Sequence, residues 1–217
     1  MRGCSEAEPR SNPSDVGGGN VYDKYGTRNP VARRLVAGFM SDFDELVEQS
    51  GAREAHEVGC GEGELSVRLA RSGIRVHGTD AFPRVLDEAR RRAAAAGVEI
   101  EFDATPVEAL ERDRHSAELI VCCEVLEHLE DPKRGLDVLA GLARPWLIAS
   151  VPREPLWRAL NLARLSYVGA LGNTPGHLNH WSKRGFERFL GERFEVVAVR
   201  SPLPWTMALC RLQSPPS

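Results

Sequence analysis

Apolar and polar positions follow two periods along this chain. From Pro30 onward Val31, Leu35, Phe39, Phe43, Leu46 and Val47 fall at spacings of three or four, an apolar stripe that predicts an amphipathic helix. Pro30 suits the first helical position and Asn29 the cap before it. A strict alternation follows. A strand is expected at Glu54–Val58 and a helix at Glu64–Ser72. Next come a strand at Ile74–Thr79 ending at Asp80, and a helix at Phe82–Ala96 stopped by Gly97. A strand over Val98–Phe102 ends at Asp103, and a short helix follows Pro106. Glu118–Cys123 reads as a strand, Pro132–Leu142 as a helix, and Trp146–Val151 as a strand closed by Pro152. Five strand–helix alternations predict an α/β fold: a mostly parallel sheet with helices on both faces.

The rhythm changes after Pro152. Residues 153–181 form a long insertion containing Trp157, Leu160 and Leu165, expected to begin as a helix. A helix at Lys183–Leu190 precedes two strands, Phe194–Val199 and Thr206–Leu212, joined through Ser-Pro-Leu-Pro. So short a connection forces an antiparallel hairpin, because a parallel return needs a crossover of about a dozen residues.

Composition narrows the setting. The 217 residues suffice for one large α/β domain or two small ones, and 42% apolar content excludes disorder throughout. Residues 1–20 are polar and rich in Gly, Pro and Ser, which predicts a disordered tail, with one domain over 21–217. No apolar run reaches the length of a membrane span, and the start lacks the apolar stretch of a signal peptide, so a cytoplasmic location is expected. A net charge of −3 argues against a broad phosphate-binding face, and nucleic acid is not expected as a partner. The five cysteines show no metal-ribbon spacing and are expected as reduced thiols.

The strongest chemical signal is Glu57-Val58-Gly59-Cys60-Gly61-Glu62-Gly63, between the first strand and helix of the alternation. Gly59 permits a tight turn, Gly61 a close approach of backbone to ligand, and Gly63 close packing of the helix. Asp80, at the end of the next strand, can take both hydroxyls of a ribose. The spacing is GxGxG rather than the dinucleotide GxGxxG. Three acids, Glu57, Glu62 and Glu64, surround the turn and would repel a pyrophosphate. They suit a ligand with a cationic end, an amine or a sulfonium. Asp103, ending the third strand, could accept from an adenine amino group, with the Ala104 amide completing that edge.

These residues resemble the class I S-adenosylmethionine-dependent methyltransferases, over about Val21 to Leu212. Glu57 to Gly63 match the family's first motif, Asp80 its ribose acid, and Asp103-Ala104 its adenine site. Cys122-Cys123-Glu124-Val125-Leu126-Glu127-His128 match the segment after the fourth strand. The resemblance implies a Rossmann-like sheet of order 3-2-1-4-5-7-6 with an antiparallel last strand. It implies S-adenosyl-L-methionine as methyl donor and S-adenosyl-L-homocysteine as product. The cofactor-binding set it implies begins with Tyr25, Glu57 near the methionine amine, and the turn residues Gly59, Cys60, Gly61 and Gly63. Asp80, Ala81, Asp103, Ala104, Cys123 and Glu124 complete it, a carbonyl near Cys123 accepting from the amine.

A second cluster holds Glu124, Glu127 and His128, with His177 and His180 later in the chain. On a helix, positions 124, 127 and 128 would share one face. With a later histidine they resemble the metal site of small-RNA 2′-O-methyltransferases. The favoured expectation is no metal: Glu124 borders the donor pocket while Glu127 and His128 orient the segment. His177 and His180 are the candidate bases for an acceptor hydroxyl, or else hold the insertion closed as a lid. Tyr22 and Tyr25 either cover the pocket or pack, and Trp157 and Tyr167 either line an apolar acceptor site or join the core. The function expected is in-line transfer of a methyl group to a small-molecule acceptor, a natural-product or quinone-like intermediate. A metal-dependent RNA methyltransferase and a non-catalytic S-adenosylmethionine-binding protein stay open as alternatives. A nicotinamide-dependent oxidoreductase is disfavoured by GxGxG and the closing hairpin.

Overall fold

The computed structural model describes residues 29–157 and 176–213. The tail, Cys4, Tyr22, Tyr25, Leu160, Leu165 and Tyr167 lie outside the described residues, as does most of the insertion.

The first helix, α1 (Pro30–Ser50), is capped by Asn29, whose side chain accepts from the amides of Val31 and Ala32. It ends at Gly51, which takes the left-handed conformation that a residue without Cβ adopts at low cost. Its stripe is buried from Phe39 onward, whereas Val31 is 66% exposed. The alternation follows as β1 (Glu54–Val58), α2 (Glu64–Arg71), β2 (Arg75–Asp80), α3 (Pro83–Ala96), β3 (Glu101–Ala104), α4 (Arg112–His115), β4 (Ala117–Cys123), α5 (Pro132–Leu142) and β5 (Ala143–Pro152). The chain closes with α6 (Lys183–Leu190), β6 (Phe194–Arg200) and β7 (Trp205–Leu212).

The seven strands form one sheet in the order β3-β2-β1-β4-β5-β7-β6, with β7 antiparallel to both neighbours. Side-chain alternation divides the core between the two faces. On one face Ile120 and Cys122 of β4 meet Leu136 and Leu139 of α5 and Phe186 of α6. On the other, Leu119 and Val121 of the same strand meet Phe39 and Phe43 of α1 and Leu69 of α2. Truncating either fully buried phenylalanine would cost about 3–5 kcal/mol, a large share of a domain's stability. A smaller cluster of Val67, Leu86, Ala89 and Phe102 ties α2 and α3 to the edge strand β3.

Two strands begin three residues away from the sequence reading. β3 begins at Glu101 rather than Val98, because the amide of Val98 bonds the carbonyl of Ala93 and so terminates α3. β5 starts at Ala143, directly after α5, and its register against β4 shifts between Ala117 and Leu119.

Three imidazoles stack across the sheet at the base of α4, a feature with no counterpart in the sequence reading. The rings of His56 and His77 are 4.8 Å apart, those of His56 and His115 5.5 Å, and those of His77 and His115 5.6 Å. His56 is 1% exposed and bonds the His115 carbonyl through Nδ1 at 2.6 Å. A carbonyl only accepts, so Nδ1 carries the hydrogen, and Nε2 accepts from the Thr79 hydroxyl at 2.9 Å. Burial is the main cause that lowers the His56 pKa to about 3. The folded protein therefore keeps His56 neutral where the unfolded chain, with an ordinary value near 6.5, takes up a proton. The stability it secures is present above pH 6.5 and is lost as pH falls toward 3, by up to about 1.4 kcal/mol per pH unit. Urea midpoints of wild type and His56→Gln at pH 7 and pH 5 check this. The variant should lose about 2 kcal/mol less stability than wild type across that interval, and equal losses would contradict the assignment.

Candidate functional site

The strand ends of β1, β2 and β3 meet at one edge, and the glycine turn after β1 lies over it. Gly59, Gly61 and Gly63 all have positive φ, at 74°, 52° and 77°. A Cβ at Gly59 would lie 2.3 Å from the Val125 side chain, so this glycine lets the turn after β1 abut the turn after β4. A Cβ at Gly63 would lie 3.0 Å from that of Ala89, which brings α2 against α3. At Gly61 a Cβ would meet nothing within 4 Å, so this backbone faces open space and a ligand can approach it.

The amides of this turn are already engaged. Those of Gly59 and Cys60 bond the Thr79 carbonyl, and that of Gly63 bonds the Cys60 carbonyl. The Gly61 amide donates to Oδ2 of Asp80 at 2.9 Å, and Oδ1 of Asp80 accepts from the Phe82 amide at 2.9 Å. A phosphate-binding turn aims such N–H groups at its ligand. Here the protein itself engages those of Gly59, Cys60, Gly61 and Gly63. Asp80 is 9% exposed, and burial raises its pKa against the pull of the three backbone amides of Phe82, Gly61 and Ala81.

The acids around the turn do not act as the sequence reading supposed. Glu62 and Glu64 pair with Arg92 of α3 at 2.8 and 2.5 Å, and their charge is compensated on the helix side. Glu57 is 4% exposed and accepts from the Ser66 hydroxyl of α2. Burial pushes its pKa up to about 8, with Ser66 opposing. The charge around the turn is thus largely taken up within the protein, by Arg92 and Ser66. Cys60 is buried and its thiol held well above the usual range, mainly by desolvation, as for Cys122; neither is a nucleophile.

On β3, Asp103 stands opposite Thr79 and Ala104 opposite Asp80. Oδ2 of Asp103 accepts from Nε2 of His77 at 2.8 Å and from Arg114 at 2.9 Å. Desolvation alone would raise its pKa, but these two donors outweigh it and hold the carboxyl below the ordinary value.

After β4 the chain does not continue as a helix. Glu124 takes a left-handed φ of 61°, and residues Leu126–His128 form a single 3-10 turn. Positions 124, 127 and 128 therefore share no helical face. Glu124 turns toward the last strand: Oε2 accepts from the Trp205 indole at 2.7 Å and Oε1 from the Ser150 hydroxyl at 3.0 Å. Glu127, His128 and His177, by contrast, place one ligand-type atom each within 4.8 Å of one another. Such a set fits a divalent cation of the imidazole–carboxylate kind, without the fourth acid the sequence offered. The segment bearing His177 is docked there by Leu178 and Asn179, whose amides donate to the Glu127 carbonyl at 2.8 and 3.0 Å. His128 bonds the Gly176 carbonyl through Nδ1 at 2.9 Å, which leaves the lone pair on Nε2.

His177 packs edge-on to His128 at 4.9 Å and lies 6.0 Å from the Trp157 ring. Burial, then His128 and His180, lowers its pKa to about 4, so it is a neutral imidazole at physiological pH. His180 faces Glu154 instead, at 3.6 Å. Trp157 also lies 6.1 Å from Trp205, so an aromatic wall runs beside Glu124. A concavity of about 680 Å³ lies elsewhere, between α1 and α2; its Asp44 and Arg68 bond each other at 2.6 Å. The sequence reading missed Arg92, His77, Arg114 and Trp205, each of which acts on a motif residue from another element.

Residues 55–145 match a family described as a methyltransferase domain. That match covers 91 of the 217 residues. A ubiquinone biosynthesis O-methyltransferase of Marinobacter nauticus is 31% identical over 147 residues, 65% of this chain and 60% of that protein. One from Coxiella burnetii is 36% identical over 149 residues, 62% of this chain and 63% of that protein. The chain thus spans about three fifths of the length of these curated relatives. Among solved structures, magnesium protoporphyrin IX methyltransferase of Synechocystis with bound S-adenosyl-L-homocysteine superposes with a TM-score of 0.67 at 22% identity, over 87% of this chain and 90% of that one. The N-methyltransferase NodS of Bradyrhizobium japonicum, with the same compound bound, gives 0.66 at 21% identity over 89% and 94%. These likenesses establish the fold, the Rossmann-like fold of the class I methyltransferases.

The two turn glycines should respond differently to a side chain. Both carry positive φ, but only Gly59→Ala drives a methyl into Val125. Gly59→Ala should destabilise by about 1–3 kcal/mol more than Gly61→Ala, measured by urea denaturation. Equal losses would mean the two turns are not in contact.

Proposed function

We propose that this chain transfers a methyl group from S-adenosyl-L-methionine to a hydroxyl of a small, quinone-like acceptor. The observation that carries the reading is the junction of Gly61 and Asp80. An open-faced glycine backbone is tied to a carboxylate whose remaining lone pairs suit a ribose, at the carboxyl edge of a sheet in methyltransferase order. The relatives supply the acceptor class, since those named act in ubiquinone biosynthesis as O-methyltransferases.

The donor supplies an activated methyl on sulfur, so the protein's task is to hold, orient and exclude water. Asp80 would take the ribose, Asp103 the adenine amino group, and the aromatic wall of Trp157 and Trp205 would face an apolar acceptor. A hydroxyl acceptor must lose a proton, and the neutral His177 is the first candidate to take it, with His180 beside Glu154 the second. Tyr25, and a lid formed by residues 153–181, belong to the same reading. Among the described residues no helix is long and apolar enough to cross a membrane, and a cytoplasmic location is part of the proposal.

A second reading, a cation-assisted transfer, is favoured by one observation, the convergence of Glu127, His128 and His177. A divalent ion there would act as a Lewis acid toward an acceptor oxygen. Loss of turnover on chelation, with recovery on adding magnesium or manganese, would select this reading; indifference to chelation would leave the metal-free one.

Titration calorimetry with S-adenosyl-L-homocysteine tests the main reading. Asp80→Ala should weaken binding by about 1–3 kcal/mol while the thermal midpoint shows a folded protein. Unchanged affinity would remove Asp80 from the site, and no binding by wild type would remove the reading.

A further inference from the structure

We propose that His77 and Arg114 are positioning residues that fix the carboxylate of Asp103 for recognition of the adenine 6-amino group. The inference rests on the donor-binding reading above and adds two residues to it.

The geometry is that of a clamp on one oxygen. His77 reaches Oδ2 of Asp103 from β2, three residues before the strand's last position, and Arg114 reaches the same oxygen from α4. A carboxylate only accepts, so Nε2 of His77 carries the hydrogen. Among the described residues Oδ1 accepts no hydrogen bond. The carboxylate is thus held by one oxygen on two fixed donors, with the other presented at the strand ends. Two donors from different elements remove the free rotation that a surface aspartate otherwise keeps, and ordering in advance is what makes a single polar contact selective.

The clamp is itself supported. The His77 ring packs against both His56 and His115, with interplanar angles of 14° to each, the three centroids forming a triangle. His56 is fixed through the His115 carbonyl and the Thr79 hydroxyl, and His115 through the backbone of Glu111. The polar groups around His77 are therefore His56 of β1, Thr79 of its own strand, Asp103 of β3, and Arg114 and His115 of α4, with Glu101 opposite it in register. His77 is the member of the stack bonded to a carboxylate. The arrangement links the buried imidazoles to the rim of the ligand edge through one bond.

The consequence is chemical discrimination. A fixed carboxylate accepts from an amino group and repels a carbonyl oxygen, so it should separate adenine from hypoxanthine in the same ligand frame. The experiment compares dissociation constants for S-adenosylhomocysteine and S-inosylhomocysteine on the full chain by calorimetry. Wild type should prefer the adenosyl compound by about tenfold or more, the range of one hydrogen bond to a charged group. His77→Ala with Arg114→Ala should cut that preference at least about threefold, and His77→Gln, which keeps a side-chain N–H, should retain most of it. A merely structural role would weaken both ligands in parallel and leave the ratio unchanged. Arg114 is 57% exposed, so Arg114→Ala alone serves if the double variant does not fold. An undiminished ratio in the clamp variants, with collapse of the ratio in Asp103→Ala, overturns the clamp and leaves the adenine reading standing. An undiminished ratio in Asp103→Ala overturns both, and a wild type that binds neither compound overturns the proposed function itself.

Discussion

The site depends on one hydrogen bond, from the Gly61 amide to Oδ2 of Asp80. It joins the turn after β1 to the end of β2, and it uses the backbone donor that a dinucleotide-binding turn would give to phosphate. With Gly59, Cys60 and Gly63 also bonded internally, the edge is short of donors and holds fixed acceptors instead. That polarity selects hydroxyl and amino groups, the functional groups of an adenosine, over phosphates. The same bond fixes the height of the turn above the sheet, which is why Gly59 abuts Val125 while Gly61 is open.

Compensation of charge elsewhere makes this edge possible. Arg92 takes up Glu62 and Glu64 on the α3 side, and Glu57 is buried on Ser66 with its proton favoured. Without those arrangements Asp80 would share the turn with three free carboxylates, at a mutual repulsion its burial would worsen. On the neighbouring strand Asp103 is treated in the opposite way. Two donors keep it ionised, and the histidine stack holds one of them in place.

Much of this was legible in the sequence, because local pattern carries it. Periodicity marked each strand and helix between Pro30 and Pro152, and the short Ser-Pro-Leu-Pro connection fixed the antiparallel hairpin. The same pattern put Asp80 at the end of β2 and Asp103 one residue before the end of β3. What local spacing could not carry was pairing at a distance. Arg92 neutralises acids 28 and 30 residues away. Glu124 is held in its left-handed conformation beside a Trp205 indole 81 residues on, so the helical face expected for Glu124, Glu127 and His128 does not form. His177 joins Glu127 and His128 only because the backbone of Leu178 and Asn179 docks on that turn.

The most direct test of the account is amide hydrogen exchange on the full chain with and without S-adenosyl-L-homocysteine. The account predicts slower exchange confined to peptides covering 59–63, 80–82 and 101–105, the three strand ends that carry the open glycine and the two acids. Protection that leaves those peptides unchanged, or that gathers in the groove between α1 and α2, would contradict it.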